Sequence, residues 1–105
     1  MKVAIPTDDG KTVSEHFGRA RYFYIYGDGA VKLVENPHRE HAGRMGHGRG
    51  HHGHHEVVEL FKKEGVRKVL TFHVGEGMRR NLEDAGIEIE MVKERDIEKL
   101  VHGSS

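Results

Sequence analysis

The chain of 105 residues contains no cysteine. Without thiols it cannot form a disulfide, a zinc ribbon or an iron–sulfur site held by its own thiolates. It also has no apolar run that approaches the ~20 residues of a membrane-spanning helix. Its N-terminal region is too short and too charged for a signal peptide. We therefore expect a soluble, cytoplasmic protein that has no membrane partner.

Neither sign of charge is in excess. Seventeen basic and seventeen acidic residues give a formal net charge of +0 with histidine counted as neutral. Nucleic-acid-binding domains usually carry a clear basic excess, so we predict no nucleic-acid partner. Because a chain of this length corresponds to one domain with one core, we predict a single domain over residues 1–102, as a monomer or a weak homo-oligomer.

Histidine, by contrast, is abundant and concentrated in one part of the sequence. Seven of the ten histidines lie within residues 38–55, where Ala42 and Met45 are the apolar residues. A glycine-rich segment with so few apolar residues has no face to bury, which predicts a loop. Imidazole is a common metal ligand that titrates near neutral pH. We predict that this polyhistidine segment (residues 38–55) binds metal through His38, His41, His47, His51, His52, His54 and His55.

The spacing of these histidines is too irregular to define a closed tetrahedral site. Imidazole binds zinc, nickel, copper and iron alike, and ordering a loop costs roughly 1–2 kcal/mol for each residue that is fixed. The segment therefore predicts weak, exchangeable binding of ions such as Zn, Ni or Cu. A solvated segment without a function is the alternative interpretation.

The rest of the sequence predicts alternating strands and helices. Three strands come first, and the Gly27-Asp28-Gly29 turn joins the second and third as a hairpin. Two helix-and-strand pairs and a final helix follow, which predicts an α/β fold with a mixed five-stranded sheet. The predicted strands span 2–7, 21–26, 30–35, 66–72 and 87–91, and the helices span 56–64, 78–85 and 94–101.

This order of elements also predicts where the loops meet. A hairpin reverses the chain direction and a helical crossover restores it, so the first, third, fourth and fifth strands should run parallel. The loops that follow these strands then leave from one edge, where open α/β sheets bind ligands. They carry His16, the polyhistidine segment and His73, and we predict a shared site there.

Two motifs near this edge have chemistry suited to an anion. Arg19 follows His16 closely and offers a fork of donors to an anionic group. Gly75-Glu76-Gly77 precedes a helix, and the free amide groups at a helix start favour anions. For the stretch with His16 and Arg19, the alternative is a connecting turn in which Gly18 supplies an unusual backbone angle and Phe17 fills the core. A solvent-facing turn with no ligand is the alternative for the glycine motif.

Two stretches of the chain resemble the dinitrogenase iron–molybdenum cofactor biosynthesis family. They are the opening MKVAIPTDDGKTVSEHFGRARYF, with its SEHFGRA motif, and the later LTFHVGEGMRRNLEDAGIEI. With the matching order of elements, the resemblance covers nearly the whole chain. It implies a ribonuclease-H-like fold with strand order 3-2-1-4-5, and it implies that the histidine of the HFG motif, His16, binds a cluster.

The resemblance implies a small accessory protein that carries nitrogenase cofactor or an iron–sulfur precursor and catalyses no reaction. We predict that it binds an iron–sulfur or iron–molybdenum cluster and exchanges it with cluster-assembly or acceptor proteins. His73 replaces a glycine that is usual in the family, and the polyhistidine segment is a second departure; both add nitrogen ligands. The predicted cofactor-binding residues are His16, Arg19, His73, Gly75 and Gly77, of which His16 and His73 are also metal ligands.

Two other functions stay open. A divalent-metal buffer or chaperone would depend on the polyhistidine segment alone, with the fold only displaying it. A magnesium-dependent ribonuclease-H-like nuclease would need several carboxylates around paired ions, for which Asp8, Asp9 and Glu35 are the candidates. We rank the nuclease last, because the two aspartates lie in a turn and the fourth strand is followed by His73 where a further carboxylate is needed.

Overall fold

The computed structural model describes residues 2–37 and 52–103, in which five strands form one sheet in the order β3-β2-β1-β4-β5. This order and the mixed α/β architecture confirm the prediction. The strands are β1 (Lys2–Thr7), β2 (Tyr22–Gly27), β3 (Ala30–Glu35), β4 (Val66–Thr71) and β5 (Glu88–Met91). The helices are α1 (His52–Glu64), α2 (Glu76–Asp84) and α3 (Ile97–Gly103), with a short 3-10 helix at Phe17–Arg19.

The strand pairings confirm the predicted chain directions. β1 pairs antiparallel with β2 and parallel with β4, β2 pairs antiparallel with β3, and β4 pairs parallel with β5. Therefore β1, β3, β4 and β5 all end at the same edge of the sheet. We call this edge the rim; its strands end at Thr7, Glu35, Thr71 and Met91.

The hairpin between β2 and β3 has the tight turn that the sequence predicts. Asp28 and Gly29 both lie in the left-handed region, with φ of 55° and 80°, and Gly27 pairs with Ala30 across the turn. Two central residues with positive φ match the twist of the flanking strands, so the turn fixes the register of the hairpin.

Side chains are buried on both faces of the sheet, in two separate clusters. On the face covered by α1 and α2, the ring centroids of Phe17 and Phe23 are 5.2 Å apart, and those of Phe23 and Phe61 are 4.9 Å apart. Burying each such ring contributes about 1.5–3 kcal/mol. On the face covered by α3, the buried residues are Val3, Ile5, Val13, Leu70 and Ile97.

Helix α1 begins earlier than the sequence predicts. It starts at His52 rather than at residue 56, so the prediction of a loop over His52, His54 and His55 was wrong. Val57 and Phe61 anchor α1 in the core, and each residue added to an existing helix gains a hydrogen bond at little further cost. The remaining polyhistidine residues, His38, His41, His47 and His51, lie outside the described residues.

Other element boundaries differ from the prediction by no more than three residues. Because α2 begins two residues earlier than predicted, Gly77 lies inside this helix and not in the turn before it. At the start of α3, Asp96 Oδ1 accepts a hydrogen bond of 2.9 Å from the Glu98 amide, which caps the helix three residues after the predicted start. Within residues 2–37 and 52–103, no helix combines the length and the apolar character needed to cross a bilayer.

Candidate functional site

The centre of the rim lies between β1 and β4. These two strands are parallel neighbours, yet the chain leaves β1 towards β2 on one side of the sheet and returns through β4 and β5 on the other. Open α/β sheets bind ligands at such a reversal of strand order, just beyond the carboxyl ends of the strands. His16 lies in the connection after β1 and His73 lies just after β4, so both histidines are on connections that start at the rim.

The connection after β1 is shaped by two aspartates. Asp9 Oδ1 accepts hydrogen bonds of 2.8 and 2.9 Å from the amides of Lys11 and Thr12. These backbone hydrogen bonds lower the pKa of Asp9 to about 2. Asp8 Oδ1 accepts a hydrogen bond of 2.9 Å from the Arg21 amide. Both carboxylates therefore hold the loop in shape, which is a different task from the magnesium coordination that a nuclease requires.

His16 is exposed at the start of a well-anchored turn. The next residue, Phe17, is 2% exposed and packs in the aromatic cluster below. The His16 amide donates to Ser14 Oγ at 3.2 Å, and Ser14 Oγ is 3.3 Å from the His16 carbonyl oxygen, to which it donates. The backbone of His16 is thus fixed, while its imidazole faces solvent. Arg19, at the end of the same 3-10 helix, is also exposed.

His73 is held by the same local arrangement. Its amide donates to Thr71 Oγ1 at 3.4 Å, and Thr71 Oγ1 donates to its carbonyl oxygen at 3.1 Å. Thr71 is fully buried and the next residue, Val74, is 6% exposed, whereas His73 is exposed. Each histidine therefore follows a buried hydroxyl by two residues and precedes a buried apolar residue.

The glycine turn after His73 leads directly into α2. Gly75 is the N-cap residue of α2 and makes no side-chain cap hydrogen bond, and its carbonyl oxygen accepts a hydrogen bond of 2.9 Å from the Arg79 amide. A Cβ at Gly75 would meet no atom within 4 Å, so close packing does not require a glycine there. A depression of about 520 Å³ lies beside this turn and is lined by His73, Val74, Gly75, Glu76, Arg79, Arg80 and Glu83.

A second depression, of about 290 Å³, lies beside His16. Asp8, Ser14, Glu15 and Arg95 are among its lining residues, and Arg95 is 3.7 Å from the Glu15 carboxylate. The structure thus places His16 and His73 on one rim but in two separate depressions. No group of three or more His, Asp or Glu side chains in the described part of the chain is arranged to hold a metal ion.

The residues that orient the two histidines are not among the predicted site residues. Ser14, in the connection after β1, and Thr71, the last residue of β4, belong to the patterns Ser-x-His and Thr-x-His, and this repetition is the sequence signal that indicates them. Asn36 was also missed: it is 1% exposed and bonds to the turn that contains His16. Its partners are 16 and 18 residues away in sequence, so no local pattern indicates them.

A family model described as dinitrogenase iron–molybdenum cofactor matches residues 1–103 of the chain. The chain belongs to this family. The resemblance seen in SEHFGRA and in the glycine turn is thereby confirmed. No curated protein matches the chain.

Three solved structures share the fold of this family member. A NifB-type protein from Thermotoga is 27% identical, with a TM-score of 0.73 over 98% of this chain and 85% of its own. The apo orange protein from Desulfovibrio gigas is 20% identical, with a TM-score of 0.73 over 97% and 88%. A Methanocaldococcus jannaschii protein described as a dinitrogenase is 24% identical, with a TM-score of 0.65 over 96% and 84%. The last two likenesses show the fold alone, and the name ribonuclease-H-like stays a prediction.

Proposed function

We propose that this family member is a non-enzymatic carrier of an iron–sulfur or iron–molybdenum cluster or its precursor, bound at the rim between β1 and β4. The observation that carries the proposal is the matched presentation of His16 and His73. Two exposed imidazoles follow neighbouring parallel strands, and each has its backbone fixed by a buried hydroxyl. The family name, which refers to the iron–molybdenum cofactor of dinitrogenase, supports a cluster as cargo.

The choice of ligands favours a carrier over a permanent cluster site. Iron–sulfur clusters that stay in a protein are usually held by several cysteine thiolates, and the chain has no cysteine. Imidazoles that are exposed to solvent can bind a preassembled cluster at one or two irons and release it again. Weak attachment is what a protein needs if it hands its cargo to another protein.

The charges around the His73 depression suit an anionic cargo. The first amides of α2 point towards the rim, and a helix start carries a partial positive charge of about half a unit. Arg79 and Arg80 line the same depression, although Arg79 also pairs with Glu83 at 3.3 Å. Arg19 adds an exposed guanidinium near His16. Glu76 and Glu83 line the His73 depression as well, so the attraction for a negatively charged cluster depends on the helix start, Arg80 and Arg19.

The polyhistidine segment favours a second candidate function, a divalent-metal buffer or chaperone. The side chains that the structure describes contain no three-ligand metal site, so binding of Zn, Ni or Cu would depend on His38, His41, His47, His51, His52, His54 and His55. In the carrier, the same histidines would supply further nitrogen ligands to the cluster from the segment that follows β3.

Anaerobic reconstitution with ferrous iron, sulfide and molybdate tests the carrier. We expect the protein to take up iron with sulfide or molybdenum, read by metal analysis and absorption spectroscopy, and His16→Ala and His73→Ala each to weaken uptake about tenfold or more. His102→Ala is the matched control, because His102 is equally exposed but lies near the end of α3. Uptake that is the same in all three variants would contradict the proposal.

Replacing residues 38–51 with a short glycine–serine linker separates the two functions. Because α1 starts at His52, this deletion leaves every described element in place. A carrier should keep a weaker but measurable uptake that still depends on His16. If Zn and Ni binding disappears and no cluster is taken up by either protein, the metal-buffer function is the correct one.

A further inference from the structure

Asn36 is a buried polar residue at the point where β3 reaches the rim. It directly follows the last residue of β3 and is 1% exposed. A buried side-chain amide is costly unless its hydrogen-bonding groups find partners. The identity of those partners shows what Asn36 does in the fold.

Three hydrogen bonds tie Asn36 to the turn that presents His16. Its Nδ2 donates to the carbonyl oxygen of Ala20 at 2.8 Å and lies 3.4 Å from that of Gly18, to which it also donates. Its own amide donates to the Arg21 carbonyl oxygen at 3.0 Å. Carbonyl groups at the end of a short helix lack partners within the helix, and Asn36 satisfies them from the neighbouring edge strand.

Contacts on other sides of the turn come from residues that precede it or lie beneath it. Asp8 holds the Arg21 amide, and Phe17 packs against Phe23 and Phe61. The link from the β3 side is made by Asn36. Asn36 therefore joins the His16 turn to the end of β3.

We propose that Asn36 is a positioning residue of the cluster site: from the end of β3 it fixes the backbone of the His16–Arg19 turn, and so sets where His16 presents its imidazole to the cargo. This inference rests on the proposed carrier function. Asn36 touches no cargo itself and acts through the backbone of residues 18–21. Residues that orient a metal ligand from outside the coordination shell typically change metal affinity by about 10–100-fold when they are removed.

The test compares Asn36→Ala with a variant that loses stability elsewhere. Val66→Ala is the control, because Val66 is 2% exposed and lies at the start of β4, at the opposite edge of the sheet from the rim. In the anaerobic uptake assay, we expect Asn36→Ala to bind iron about tenfold more weakly than the wild type, and Val66→Ala to bind like the wild type. Asn36→Ser is the milder change to use if Asn36→Ala does not fold. It should bind iron more weakly than Val66→Ala does.

A double-mutant cycle with His16 separates positioning from a general loss of structure. If Asn36 acts by placing His16, then Asn36→Ala should weaken uptake very little further once His16 is already alanine. Independent, additive losses would overturn the inference. So would an Asn36→Ala or Asn36→Ser variant that takes up iron as well as Val66→Ala does.

Amide hydrogen exchange gives a readout that needs no cargo. The Arg19 amide donates to the His16 carbonyl oxygen at 3.2 Å, and its exchange should become at least several-fold faster in Asn36→Ala and Asn36→Ser but not in Val66→Ala. Unchanged exchange at residues 16–21 would overturn the positioning role even if the wild type binds clusters. If the exchange changes as expected but the wild type takes up no cluster, the carrier function fails while the anchoring by Asn36 stands.

Discussion

The two histidine turns on the rim present their side chains in the same way but are fixed by different means. The His73 turn is short, because β4 ends at Thr71 and α2 begins at Glu76, so regular elements hold both of its ends. The His16 turn lies within the longer connection over residues 8–21, whose one helical element is the three-residue 3-10 helix. Long-range side-chain contacts hold this second turn in place.

This difference shows how one rim can combine two kinds of support. A ligand placed between a strand and a helix takes its order from those elements, whereas a ligand in a long connection depends on residues that are distant in sequence. Substitutions of the distant anchors should therefore disturb His16 and leave His73 in place. Substitutions in and around the two turns test that contrast.

The largest effect should come from Phe17→Ala. Phe17 is 2% exposed within an aromatic cluster, so its removal should lower the free energy of unfolding by about 3–5 kcal/mol. NMR signals of residues 14–21 should broaden or shift strongly, while those of residues 71–75 should change little. Phe72→Ala is the matched control, because Phe72 is half-buried next to His73. If Phe17→Ala disturbed both turns equally, the His16 turn would not depend on distant contacts more than the His73 turn does.

The next largest loss of stability should come from removing the hydroxyl that supports each histidine. Thr71→Val removes a fully buried hydroxyl that bonds twice to His73, and we expect a loss of about 1–3 kcal/mol in urea unfolding. Ser14→Ala should cost less, about 1 kcal/mol, because Ser14 is 7% exposed and Thr71 is 0% exposed, so water reaches the groups that Ser14 leaves unpaired more easily. The reverse order of the two losses would show that the His16 turn depends on its hydroxyl more than on its distant anchors.

A smaller, pH-dependent effect should arise in the connection that carries His16. The amides of Lys11 and Thr12 lower the pKa of Asp9 from 3.8 to about 2. Because the pKa is lower in the folded state, the stabilisation is fully present above pH 3.8 and is lost as the pH falls towards 2. Asp9→Asn should therefore be less stable than the wild type at pH 6 and nearly as stable at pH 2. A stability difference that does not vary with pH would contradict this assignment.

The smallest effect should come from the ion pair on α2. Glu83→Gln removes the exposed partner of Arg79, which lies four residues earlier in the helix, and such pairs contribute about 0.3–0.5 kcal/mol. Thermal unfolding should change only slightly, and cluster uptake should stay the same or rise, because Arg79 lines the His73 depression. A marked loss of uptake would mean that Glu83 itself helps to order the site.

Much of the fold was predictable because local signals determine it. The Gly27-Asp28-Gly29 turn fixed the hairpin, and alternating strands and helices then fixed the directions of β4 and β5. The location of His16 and His73 on one edge follows from these directions alone. Locally encoded turns and crossovers leave few alternative topologies for a chain of this size.

The parts that were not predictable depend on tertiary contacts. The start of α1 at His52 follows from core packing further along the helix, which outweighs the loop-like composition of the polyhistidine segment. The role of Asn36 depends on contacts with Gly18 and Ala20, which meet it only after the sheet has formed. The separation of His16 and His73 into two depressions is likewise a result of the packed loops.

For the proposed carrier, the fixed backbones of His16 and His73 have a consequence for the speed of cargo transfer. Because the amide and carbonyl groups of both residues are already bonded to Ser14 and Thr71, the main chain of these two residues would not need to rearrange when a cluster arrives or leaves. Only the imidazole torsions must turn, and exposed side chains rotate within picoseconds to nanoseconds. Delivery would then be timed by collisions with the donor and the recipient protein, and by how tightly each of them competes for the iron.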